Sequence, residues 1–209
     1  MARMLKKANK LPLMAVVAAN VTAFVVLLQT GHLHLTSLQS LVDSVPSLLP
    51  ACVGLALIGV LNAQLSPTAK AKIVYWRWSD PLPGSKAFTH FAKSDPRVDY
   101  KALEQLHGPL PTDPVDQNAL WYRLYKSVDR DAAVQDSHGE YLFSRDYASF
   151  ALLMLIVFAP IVAFQIDSAR IAGWYVGGLA LQCILTIRAA RMHGRRLVTT
   201  VLAVAAAKG

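Results

Sequence analysis

The chain has 209 residues, of which 54% are hydrophobic and 16% charged, with a net charge of +8. Four apolar runs, roughly 11–30, 44–65, 149–166 and 171–188, carry no Lys, Arg, Asp or Glu away from their ends and approach the ~20 residues that cross a hydrocarbon core. That pattern excludes an ordinary soluble domain. Cys52 and Cys183, the only cysteines, both fall inside these runs, which argues against a disulfide or zinc framework and reads them as packing residues.

In chain order, the N-terminal tail carries Arg3, Lys6, Lys7 and Lys10 ahead of the first run. A signal peptide is the alternative reading, but Gln29-Thr30-Gly31-His32 offers no small-x-small cleavage site, so an uncleaved first span is expected. The linker 31–43 has no Lys or Arg. Its His32 and His34 alternate without a third ligand nearby and read as solvated. The second run is rich in small residues, with Ala51, Gly54, Ala56 and Gly59.

Residues 66–148 form the sizeable polar region, and eleven basic residues there meet eleven acidic ones. Lys70 and Lys72 can snorkel to headgroups while Tyr75, Trp76 and Trp78 sit at the bilayer boundary. Asp80-Pro-Leu-Pro-Gly84 predicts a rigid turn. Ser85 is expected to cap a helix over 86–93, Asp99 one over 100–107, and Asp113-Pro114 to start one over 114–127. From about Glu140 the chain reads as helical into the third span, where Pro160 is tolerated if neighbouring helices satisfy the freed carbonyl.

A four-residue linker with Asp167 and Arg170 leads to the fourth span, which contains the G-x-x-x-G pair Gly173 and Gly177. That spacing suits close helix approach, either within the chain or between subunits. Arg188, Arg191, Arg195, Arg196 and Lys208 follow it. The apolar stretch 197–207 is too short to span. An interfacial helix, a packing arm and a frayed tail all remain open for it.

The basic tails against poorly basic outer linkers place both termini and the middle segment in the cytoplasm. The expected fold is all-α, a membrane protein of four transmembrane helices in two hairpins. Its parts are an N-tail with hairpin 1 (1–65), a small helical cytoplasmic domain (66–148), hairpin 2 (149–188) and a basic, apolar tail (189–209).

Motif chemistry is sparse. The chain has no G-x-S-x-G, P-loop or H-E-x-x-H. His90, His107 and His138 are far apart in sequence, and Asp95, Asp99, Glu104, Asp129 and Asp131 read as helix-start carboxylates. No enzyme activity, metal or cofactor is expected. The spans offer amides and hydroxyls instead, among them Asn20 and Thr22, which either bond between helices or line a weakly selective pore.

Three segments, Tyr75-Trp-Arg-Trp-x-x-Pro-Leu-Pro-Gly84, Asn118-Ala-Leu-Trp-Tyr-Arg-Leu-Tyr125 and Arg145-Asp-Tyr147, make the middle region similar to small bacterial membrane proteins. By size and layout, four spans with a cytoplasmic insert, the chain resembles membrane subunits of anti-phage defence systems of the Kiwa or Hailong type. That resemblance implies a homo-oligomer, with a tetramer as the working number, paired with a soluble cytoplasmic protein. The Hailong likeness implies a channel gated by a nucleotide or DNA, and nucleic acid is the less favoured partner because the middle segment is neutral.

The expected function is therefore an oligomeric inner-membrane sensor or scaffold of bacterial defence. Trp76, Trp78, Trp121, Tyr122 and Arg123 are the expected contacts for its soluble partner. Gly173 and Gly177 are expected to pack subunits, and Arg191, Arg195 and Arg196 to meet a polyanion or lipid. The alternative is a pore-forming effector lined by Asn20 and Thr22.

Overall fold

A computed structural model describes residues 9–30 and 45–208. The expectations for His32, His34, Arg3, Lys6 and Lys7 fall outside the described residues, as does the side chain of Cys52. Everything described is helix, turn or irregular, with no strand among the described residues.

The helices are α1 (Lys10–Thr30), α2 (Val45–Gln64), α3 (Pro67–Tyr75), α4 (Tyr100–His107), α5 (Pro114–Val128), α6 (Ala132–Gln165) and α7 (Ala169–Lys208), with short helical turns over 83–94. Among the described residues α1, α6 and α7 are long and apolar enough to cross a membrane. These are three such helices where four spans are expected. The second expected span does form the 20-residue helix α2, whose side chains are described only in part. At 34 and 40 residues, α6 and α7 exceed the ~20 that a bilayer core requires. The surplus turns of both enter the polar part of the protein.

The chain divides into two compact units, one of Lys10–Leu65 with Tyr147–Thr186, the other built on Ser66–Asp146 with the chain from Ile187 onward. In the first, Phe24 of α1 stacks on Phe158 of α6 with centroids 4.2 Å apart and planes 10° from parallel. Ile58, Met154, Val162 and Leu179 pack around the pair. Gln182 donates to the Tyr147 hydroxyl at 2.8 Å, tying α7 to α6. Outward faces are apolar too, with Phe164, Ile184 and Leu185 all exposed, which is compatible with helices surrounded by lipid. Helix α6 runs through Pro160 unbroken.

The second unit is a helical domain whose starts follow local chemistry. Ser66 accepts from the Ala69 amide, Asp99 from Ala102, and Asp113 from both Val115 and Asp116, so each satisfies backbone donors that a first helical turn leaves free. The expected 86–93 helix does not form as a regular α-helix. A 3-10 turn (Pro83–Lys86) runs into a π turn (Ala87–Phe91) and one short α turn. Ser85 does not cap it: its hydroxyl is buried and faces the carbonyls of Asp80 and Leu82 at 2.9 and 2.7 Å. The amides are instead met from another helix. Buried Gln117 on α5 accepts from Phe88 and Thr89 through its Oε1 and donates to the Thr112 carbonyl through its Nε2. Helix α6 likewise begins at Ala132, ahead of the expected Glu140.

The C-terminal stretch is the packing arm of the three options the sequence leaves open. Leu197, Val198, Val201, Leu202 and Ala205 join Phe88, Leu103, Leu124 and Val134 in one buried core. Tail and middle segment therefore form one folded unit. An apolar stripe at helical spacing buries far more favourably in a core than against water.

Candidate anion-binding groove

Helix α3 ends at Tyr75, and the chain reverses through Trp76, whose φ of 53° is left-handed. The Trp76 amide donates to the Lys72 carbonyl, closing the last turn. The Val74 carbonyl is met by Arg191 of α7, whose Nε donates to it at 2.6 Å. The same guanidinium lies over the Trp76 ring, 5.1 Å from its centroid, within the range of a cation–π contact. One arginine thus caps α3 and orders its exposed tryptophan.

Beside this cap is a groove of about 320 Å³ whose lining includes Arg77, Lys86, His90, Arg188, Arg191 and Arg195. Arg188, Arg191 and Arg195 recur at three and four residues on α7, so they form one stripe. Lys86 and His90 come from the turns after Pro83, and Arg77 from the bend after α3. Among the described residues no carboxylate lines the groove. Among the described residues, the ion pairs within 4.0 Å use Lys70, Arg97, Lys126, Arg145, His193, Arg196 and Lys208. The five Lys and Arg side chains of the groove have no acidic partner among the described residues. Arg195 donates to the Ser94 hydroxyl at 3.1 Å and Arg77 lies over the Tyr75 ring.

Tyr75, Phe91 and Met192 supply the groove's less polar lining. Burial pushes the Tyr75 hydroxyl well above its ordinary range, Tyr141 adds to this, and Arg77 and Arg191 pull the other way. Tyr75 therefore stays neutral. Concentrated positive charge with no counter-charge among the described residues, next to apolar surface, has the chemistry to attract an anion.

The residues expected to act from the sequence separate into distinct places. Trp76 and Trp78 are exposed at 71% and 87%, and Lys72 lies over the Trp78 ring. Tyr122 and Arg123 are exposed on α5. Trp121 is a correction: it is buried at 8% exposure and packs against Gly84, where an added Cβ would come within 2.7 Å of its ring. Its ring packs against the turn instead of standing exposed. Arg191 and Arg195 reach the groove, whereas Arg196 pairs with Glu140 at 2.9 Å on another face of α7, beside His193.

Asn20 and Thr22 both donate to carbonyls one turn earlier in α1, at Val16 and Ala18. Each therefore has one hydrogen bond within its own helix. At Gly173 and Gly177 an added Cβ would meet nothing within 4 Å among the described residues, so no described intrachain contact accounts for either glycine. His90, His107 and His138 stay apart: His90 lines the groove, His107 ends α4, and His138 bonds the Tyr125 hydroxyl through Nδ1 at 3.0 Å. Among the described residues no three His, Cys, Asp or Glu side chains stand together as metal ligands do.

Arg77, Lys86, His90 and Arg188 were not singled out as site residues by the sequence. The spacing of 188, 191 and 195 was a readable signal. The contribution of Lys86 and His90 was not, because it depends on the turn that Gln117 holds. Compared with known proteins, the chain matches no family model, no curated protein and no solved structure.

Proposed function

We propose that this protein is a binding and scaffolding subunit of the bacterial inner membrane whose groove holds an anionic group. The observation that carries this reading is the set of five Lys and Arg side chains around one groove with no carboxylate partner among the described residues. Unpaired cations repel one another, and a bound anion relieves that repulsion.

In this reading α1, α2 and the apolar parts of α6 and α7 cross the bilayer, with both termini and the helical domain in the cytoplasm. The charge distribution along the chain supports that orientation. The subunits assemble through the open glycine face of α7, and the exposed Tyr122 and Arg123 on α5 meet a soluble partner. The setting we propose is a bacterial defence assembly, and this rests on the four-span layout proposed here, of which three helices are long and apolar enough to span among the described residues.

The test is pull-down of the tagged, detergent-solubilised protein from its host, with native mass measurement, beside an Arg188→Gln/Arg195→Gln double variant. A defined oligomer that retains an anionic molecule, and loses it in the variant, supports the reading. An oligomer whose retained molecules are the same in both proteins overturns the groove as the binding site.

A further inference from the structure

We infer that the groove is a site for the headgroup of an anionic phospholipid, and that a lipid with two phosphates fits it best. This rests on the groove being an anion site, as proposed above. Three observations narrow the anion.

The first is depth. Arg188 follows directly on the apolar run of α7, and the helix continues through Arg191 and Arg195 without a break. At 1.5 Å per residue the stripe covers about 10 Å along the axis. A headgroup layer adds roughly 5–8 Å beyond each side of the hydrocarbon core. The cations thus start where the apolar stretch stops and extend over the thickness at which phosphates lie.

The second is the aromatic surround. Tyr75 and Phe91 line the groove, and exposed Trp76 and Trp78 flank it in sequence, each ring beneath a cation. Exposed tryptophans on a soluble surface cost solvation, whereas at headgroup level their amphipathic rings are favoured. Met192, 65% exposed and also lining the groove, suits the glycerol and upper acyl carbons of a lipid better than it suits a free inorganic anion.

The third is charge. Arg77, Lys86, Arg188, Arg191 and Arg195 give the groove five positive charges, with no carboxylate in its lining among the described residues. One phosphodiester leaves four uncompensated and two leave three, so a diphosphate headgroup such as that of cardiolipin gains more than a single phosphate.

The experiment uses the full chain, delipidated in neutral detergent and titrated with cardiolipin, phosphatidylglycerol or phosphatidylcholine, read by native mass spectrometry. Arg196→Gln removes one positive charge from the same helix but from the Glu140 pair, so it controls for general electrostatics against each of the single variants Arg188→Gln and Arg195→Gln. The inference expects cardiolipin to bind at least tenfold more tightly than phosphatidylcholine. It expects Arg188→Gln/Arg195→Gln to weaken that binding roughly thirtyfold, with Arg196→Gln within threefold of the parent. Lys86→Gln, far from α7 in sequence, is expected to weaken it as well. Equal loss in all variants, or no preference for anionic lipid, overturns the inference. Two further arms separate it from the broader reading. If inorganic pyrophosphate or polyglutamate binds with the same dependence on Arg188 and Arg195 while lipid does not, the groove is an anion site of another kind and the lipid assignment fails alone. If none of these ligands depends on the two arginines, both readings fail.

Discussion

Arg191 Nε donates to the Val74 carbonyl at 2.6 Å, so a residue of the last helix closes the end of a helix more than a hundred positions earlier. Arg191 therefore caps a helix, which Arg188 and Arg195 do not, although Arg195 bonds the Ser94 hydroxyl. Replacing it with Gln leaves a last-turn carbonyl of α3 unmet and frees Trp76. We expect a loss of about 1.5–3 kcal/mol in thermal or denaturant unfolding of the solubilised protein. Lys lacks the planar guanidinium that bonds Val74 and covers Trp76 at once, so Arg191→Lys is expected to recover little. Full recovery by Lys would show that charge alone matters there.

Gly194 lies on α7 opposite the Tyr75 hydroxyl, where an added Cβ would overlap that oxygen and come within 3.1 Å of the Tyr141 ring. Gly194→Ala is expected to destabilise by about 1–3 kcal/mol through overpacking. The double variant Gly194→Ala/Tyr75→Phe removes the colliding oxygen and should recover much of the loss. Additive effects in this cycle would mean that the two positions do not meet.

The packing arm makes a contrast between two leucines of one helix. Leu202 is fully buried in the core of the helical domain, and Leu181 is 57% exposed. Leu202→Ala should cost about 2–5 kcal/mol and leave the domain open to limited proteolysis. Leu181→Ala should change stability little. Comparable effects at the two sites would contradict the arm.

Gly177 faces open space among the described residues. Gly177→Leu is therefore expected to leave unfolding of the solubilised subunit within about 0.5 kcal/mol of the parent, while lowering the oligomeric mass seen in native measurements. A large loss of subunit stability with an intact oligomer would place the glycine in intrachain packing instead.

Asp95 accepts two hydrogen bonds from the Arg97 side chain, at 3.0 and 2.8 Å, and Arg97 reaches on to Thr199 of α7 at 3.1 Å. The bonds from Arg97 hold the Asp95 carboxyl well below the usual carboxylate range. A depressed folded value stabilises the protein above the unfolded value of about 3.9 and loses that stabilisation as pH falls through the folded one. Stability should therefore decline from about pH 4 downward, and Asp95→Asn should flatten that part of the profile. The pair is largely exposed on the Arg97 side, so its worth is under about 1 kcal/mol. An unchanged acid profile in the variant would assign the pH dependence elsewhere.

Helix starts were legible wherever one residue decides them. Asp99 and Asp113 act as caps because a short side chain reaches amides two or three positions ahead, which is a local fact. The 83–94 segment was not legible for the opposite reason. Its amides are met by Gln117, so its shape depends on a side chain some 30 positions away. Trp121 illustrates the same limit: an aromatic in a run of aromatics carries no mark of which face meets the core until Gly84 packs against it.

By itself the sequence determined the helical class, the apolar runs and the excess of positive charge after residue 187, because each follows from residues close together in the chain. Only the tertiary structure decided how that charge is used. It paired Arg196 with Glu140 and set Arg191 against Val74. It also brought Arg77 and Lys86, from a segment of zero net charge, to the stripe at 188, 191 and 195. Net charge sums over a segment, whereas electrostatic attraction falls with distance. A neutral segment therefore presents a cationic face once its carboxylates fold elsewhere.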